Sequence, residues 1–157
     1  MLKNIGKTAL TALLLASLSA CGNGDEKPQR SSNIASASDG NLISYEVRGR
    51  GDTTLVFIHC WACNRSFWEH QLSHFETSYR VVAMDLPGHG NSGATRTNWS
   101  IEGLGQDVVA VFDKLQIDKA ILIGHSMGGP VALAAARELK GRVAAIACVD
   151  TLHDLEQ

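Results

Sequence analysis

Apolar positions along the chain follow two periods. Near-continuous apolar runs occupy residues 54–59 (TLVFIH), 81–84, 120–123 and 143–149, the pattern of strands buried on both faces. Residues 33–38 and 41–47 flank Asp39-Gly40, a dipeptide suited to the positive φ angles of a tight turn, which predicts an antiparallel pair. Helical spacing fills the intervals. Phe67, Trp68, Leu72 and Phe75 predict a helix over 65–75, and Ser100 can cap one whose Ile101, Leu104, Val108, Phe112 and Leu115 share a side. An alanine-rich helix starts near Met127. Two paired strands followed by strand-helix alternation, without an internal repeat, imply an α/β fold: a mostly parallel sheet with helices on both faces.

The stretch 120–136, AILIGHSMGGPVALAAA, reads as strand, sharp turn and helix. Gly124, Ser126 and Gly128 fit G-x-S-x-G, where a strained turn presents a serine hydroxyl and a side chain at either glycine would collide with a neighbouring strand or helix. A serine nucleophile needs a histidine to take its proton, a carboxylate to orient that histidine, and N–H donors for the oxyanion.

Composition adds location more than chemistry. The chain has 157 residues, one domain's worth, and its 14 Lys and Arg are scattered, so no basic patch suggests nucleic acid. Lys3 and Lys7 precede an apolar run over 9–20, which has signal-peptide polarity and is short for a membrane span. Residues 18–21 (LSAC) resemble the lipobox of bacterial lipoproteins, which implies lipidation of Cys21. The division expected is a signal peptide over 1–20, a polar flexible tether over 21–32 and a domain from 33 to 157. Gly22, where aspartate is associated with inner-membrane retention, points to the periplasmic side of the outer membrane.

Three segments in order, VFIHCW, MDLPGHGNS and IGHSMGG, resemble the α/β-hydrolase family, over the N-terminal half of that fold. The resemblance implies a serine hydrolase acting on an ester, lactone or related acyl bond of a small molecule, without cofactor or metal. Ser126 would be the nucleophile, and the backbone N–H groups of Trp61 and Met127 the oxyanion hole; Cys60 stands where the family has glycine. A serine at this position departs from the family's dehalogenases and epoxide hydrolases, which use aspartate. His59 and His89 would shape loops, and His125 lies inside the turn. The family's order is Ser, acid, His, so Asp150 is a candidate acid, His153 is the one histidine after Ser126, and the usual base and further strands would lie past residue 157. Two other readings stay open: a lipid-anchored binding protein without turnover, and a thiol-disulfide protein using Cys60 and Cys63.

Overall fold

The computed structural model describes residues 30–151. A six-stranded sheet has the order β1-β2-β4-β3-β5-β6. β1 (Arg30–Ser36) pairs antiparallel with β2 (Leu42–Arg48), and β2 antiparallel with β4 (Arg80–Met84). β3 (Thr54–Ile58) lies parallel between β4 and β5 (Ala120–His125), and β6 (Val143–Val149) follows in parallel. No helix among the described residues is long and apolar enough to cross a membrane.

Period-two alternation divides the core between the two sides of this sheet. On one side Val56, Ile58, Val82, Met84 and Leu122 meet α2 (Ile101–Lys114) and α3 (Gly128–Leu139). Leu104, Val108 and Phe112 form the buried stripe of α2, and Ser100 caps it by accepting from the Gly103 N–H at 3.0 Å. On the other side Leu55, Phe57, Val81 and Ala83 meet Trp68 and Leu72. Phe57 and Trp68 rings lie 5.2 Å apart.

Three local expectations need correction. Residues 30–32 belong to β1 rather than to the tether, because their backbone pairs with Arg48, Val47 and Glu46 whatever the polarity of their side chains. In the turn only Gly40 has positive φ (85°); its N–H donates to the Ala37 carbonyl at 3.0 Å, and the Asp39 carboxylate instead accepts from the Asn41 N–H at 3.1 Å. Residues 65–75 form a 3₁₀ turn (Arg65–Trp68) running into a short α1 (Glu69–Phe75). With about three residues per turn there, adjacent Phe67 and Trp68 cannot share a face, and Phe67 is 49% exposed while Trp68 is buried. Residues 1–29, with the expected signal peptide and Cys21, and residues 152–157, with His153, lie outside the described residues.

Candidate active site

Parallel register sets Ile58 opposite Gly124 and Gly124 opposite Cys148. The segments leaving the C-terminal ends of β3, β5 and β6 therefore converge, as strand ends do in open α/β sheets. Ser126 sits in the turn between β5 and α3 at φ 49°, a left-handed angle that costs a non-glycine residue energy. Hydrogen bonds hold it there. The Ser126 N–H donates to the Val149 carbonyl at 3.0 Å, the Gly129 N–H to the Ser126 carbonyl at 3.0 Å, and the Val131 N–H to the Met127 carbonyl at 3.3 Å. The Met127 N–H takes part in none of these bonds and lies at the positive end of α3.

Sterics explain the glycines. A Cβ at Gly124 would run into the backbone of Gly128, and one at Gly128 into the Ile58 carbonyl. The end of β5 is thus pressed against the start of α3, and the start of α3 against the end of β3. Thr151, which the sequence reading passed over, fills the space a Cβ at Gly129 would need and donates its hydroxyl to the Ser126 carbonyl at 3.3 Å.

The loop leaving β3 is tied down by its histidines. His59 is fully buried, its Nε2 accepting from the Leu86 N–H at 2.9 Å and its Nδ1 donating to the Cys60 carbonyl at 2.7 Å. Burial lowers its pKa, so the ring is a neutral clamp between two loops. His89 answers from the second loop: its Nε2 accepts from the Ala62 N–H at 3.2 Å, which leaves Nδ1 to donate to the Pro87 carbonyl at 3.1 Å. Its ring meets that of Trp61 edge to face at 5.5 Å. The left-handed residue of the first loop is Ala62 (φ 58°), so Cys60 in the place of a glycine needs no unusual angle.

Asp85 is the organiser that sequence reasoning treated only as part of a loop. Buried at the end of β4, it accepts from the Arg65 N–H at 2.7 Å, the Arg65 guanidinium at 2.6 Å and the Asn91 N–H at 2.9 Å. Its one sequence signal is an acid directly after an apolar strand. A Cβ at Gly90 would collide with its carboxylate.

Cys60 is buried, Cys63 half-buried, and both are free thiols. Burial, then the neighbouring Cys63 thiol, pushes the Cys60 pKa up to about 11. A redox-active pair needs the opposite, a lowered pKa on its attacking thiol.

The remaining candidates are not assembled around Ser126. His125 lies flat against Phe67, ring centroids 4.9 Å apart, and edge-on to Trp68. Among the described residues no histidine is hydrogen-bonded to Ser126. Asp150 follows β6, exposed and at φ 45°. Among the described residues no group of three or more His, Cys, Asp or Glu is placed to hold a metal. Beside the serine turn, Trp61, His89, Trp99, Ile101, Leu104 and Met127 line an open cleft of about 570 Å³.

Known proteins are similar to this chain in sequence and in fold. A protein from Pseudomonas putida described as the dihydrolipoyllysine-residue acetyltransferase component of an acetoin cleaving system is 37% identical over 105 residues, 67% of this chain and 28% of that protein. The 3-oxoadipate enol-lactonase 2 of Acinetobacter baylyi is 38% identical over 88 residues, 55% of this chain and 33% of that protein. Among solved structures, an N-acyl homoserine lactone degrading enzyme superposes with a TM-score of 0.72 at 32% identity, over 76% of this chain and 45% of its own. An esterase from Rhodococcus sp. gives 0.73 at 34% identity, over 78% and 46%. The chain spans less than half the length of each of these relatives. The family model for the alpha/beta hydrolase fold matches residues 53–157, and with it the chain belongs to the α/β-hydrolase family.

Proposed function

We propose that the chain carries the nucleophile and oxyanion hole of a serine hydrolase acting on an ester, lactone or related acyl bond. The observation that carries this reading is the left-handed Ser126 in a turn whose flanking positions admit only glycine. The Ser126 hydroxyl attacks the acyl carbon, its proton passes to a histidine, and the carbonyl oxygen becomes an oxyanion facing the Met127 and Trp61 amides. The base is assigned outside residues 30–151, because no described histidine is hydrogen-bonded to Ser126: His59 and His89 are committed to loop contacts, His125 stacks on the Phe67 ring, and His70 and His74 belong to α1. Asp150 is retained as the candidate acid. The lactonase and esterase among the relatives support the acyl chemistry.

A fluorophosphonate probe tests this directly. The Ser126 Oγ–P bond forms as the P–F bond breaks, fluoride leaving with the electron pair and the hydroxyl proton passing to base or solvent. Peptide mapping should find the adduct on Ser126, and Ser126→Ala should abolish it. In a parent protein that carries the base, an adduct elsewhere, or none, rejects the hydrolase reading and favours a binding surface without turnover.

Lipid anchoring through Cys21, facing the periplasm, is proposed from the lipobox alone. The protein should then partition into detergent, and Cys21→Ser should leave it soluble or as uncleaved precursor. A wild-type protein that is cleaved yet soluble refutes the anchor.

A further inference from the structure

The cleft beside the serine turn has a composition that selects substrates. Trp61, 70% exposed, and Trp99, 47% exposed, present large apolar surfaces, and Ile101, Leu104 and Met127 share the lining with them. Isolated exposed tryptophans are unremarkable on a surface, but two facing one concave site beside a candidate nucleophile are not. Trp99 is positioned by Gly88, where a Cβ would come within 2.9 Å of the indole.

The Ser100 and His89 side chains at this cleft are already used. Ser100 caps α2, and both ring nitrogens of His89 are engaged by Ala62 and Pro87. Charge is equally absent from the lining. The arginines on the two flanking loops are already paired: the Arg96 guanidinium, which lies over the Trp99 ring 5.7 Å from its centroid, makes two bonds of 2.8 Å to the buried Asp107 and one of 2.6 Å to Asp39, and Arg65 binds Asp85 and Ser44. An anionic group entering the cleft would lose water and find no cation in the lining, and the guanidinium behind Trp99 is already shared between two carboxylates.

We infer that this cleft receives an uncharged, apolar acyl or alcohol arm of the substrate, and that Trp61 and Trp99 discriminate against an arm ending in a carboxylate. The inference rests on the proposed role of Ser126 for what the bound group is, since the same loop offers the Trp61 amide to the reacting carbonyl and the Trp61 indole to the arm. It places the substrate among neutral aliphatic or aromatic esters and lactones rather than those of dicarboxylic acids.

The test titrates the unlabelled chain with 2-octanone and with 7-oxooctanoate, ketones of equal length of which only the second carries a carboxylate. Binding is followed by tryptophan emission. The neutral ketone should bind at least about tenfold more tightly, a discrimination within reach of an apolar pocket. Trp99→Lys, which places a cation at the cleft, should weaken 2-octanone and strengthen 7-oxooctanoate. Equal or reversed affinities in the wild type, or no saturable response to either ketone, overturn the inference. That comparison uses wild type only and stands even if the variant does not fold. A variant that folds with an unchanged preference removes Trp99 from the site and overturns its role. Because no turnover is needed, selective ketone binding without Ser126 labelling would reject the hydrolase and keep the apolar cleft. Labelling without ketone selectivity would do the reverse.

Discussion

β3 and β6 are both apolar strands, they run parallel with β5 between them, and their environments differ completely. All five residues of β3 are buried, with α2 and α3 on one side and Trp68 and α1 on the other. In β6 only Val143 and Ile146 are half-buried against the α3 side, and the other five residues are exposed. β5 shows the transition: Leu122 is buried on the helix-covered side, while Ile121 and Ile123 are half-buried on the other. An apolar run states a demand for burial. Whether the demand is met depends on neighbours that the run does not encode.

The largest effect expected from this contrast is on stability. Phe57→Ala in β3 should cost about 3–5 kcal/mol, the range for a buried aromatic ring, whereas Val149→Ala in β6 should change stability by less than about 0.5 kcal/mol. Urea denaturation of the two variants reads the difference. Similar costs would mean that β6 is covered in solution and would dissolve the comparison.

Next comes the junction where β3 supports the serine turn. Gly128→Ala sets a Cβ against the Ile58 carbonyl and should displace α3, reducing fluorophosphonate labelling of Ser126 by at least about a hundredfold, as loss of an oxyanion donor does. Ala144→Ser, exposed in β6, should leave labelling nearly unchanged. If both variants label like wild type, contact with β3 does not shape the turn.

Thiol chemistry sharpens the contrast at the strand ends. Cys148, exposed in β6, should react with iodoacetamide at pH 8 at least about tenfold faster than Cys60, which is buried just after β3. The raised pKa of Cys60 means that its thiolate forms only as pH approaches about 11, so the gap should narrow as pH rises towards that value. Peptide-resolved alkylation rates would expose an error in either direction.

The smallest effect is on surface stickiness. Ala147→Lys puts a charge on the open strand and should lower hydrophobic-dye emission and self-association without altering the fold. An unchanged dye signal would locate the exposed apolar surface elsewhere.

The elements and the serine turn were legible in the sequence because their causes are local. Ser100 caps α2 from one residue away, the α2 stripe repeats at helical spacing, and the glycines around Ser126 mark a turn that only they permit. Phe67 misled because spacing alone does not distinguish a 3₁₀ turn from an α-helix. The first residues of β1 misled because an edge strand is held by its backbone ladder and can be polar throughout. Asp85 and Thr151 were passed over since their partners, Arg65 and the Ser126 carbonyl, are 20 and 25 residues away and no periodicity links them.

By itself, then, the sequence determined what short-range sterics and hydrophobic period determine: the order of strands and helices, the turn at Ser126 and the loop after β3. Tertiary structure alone decided what the side chains near the candidate site are free to do. Parallel register brought three strand ends together, so that His59 and His89 became ties between loops and Arg96 and Arg65 were neutralised by distant carboxylates. Those pairings depend on distances through space, and a residue's free valence is known only when every group that could occupy it has been placed.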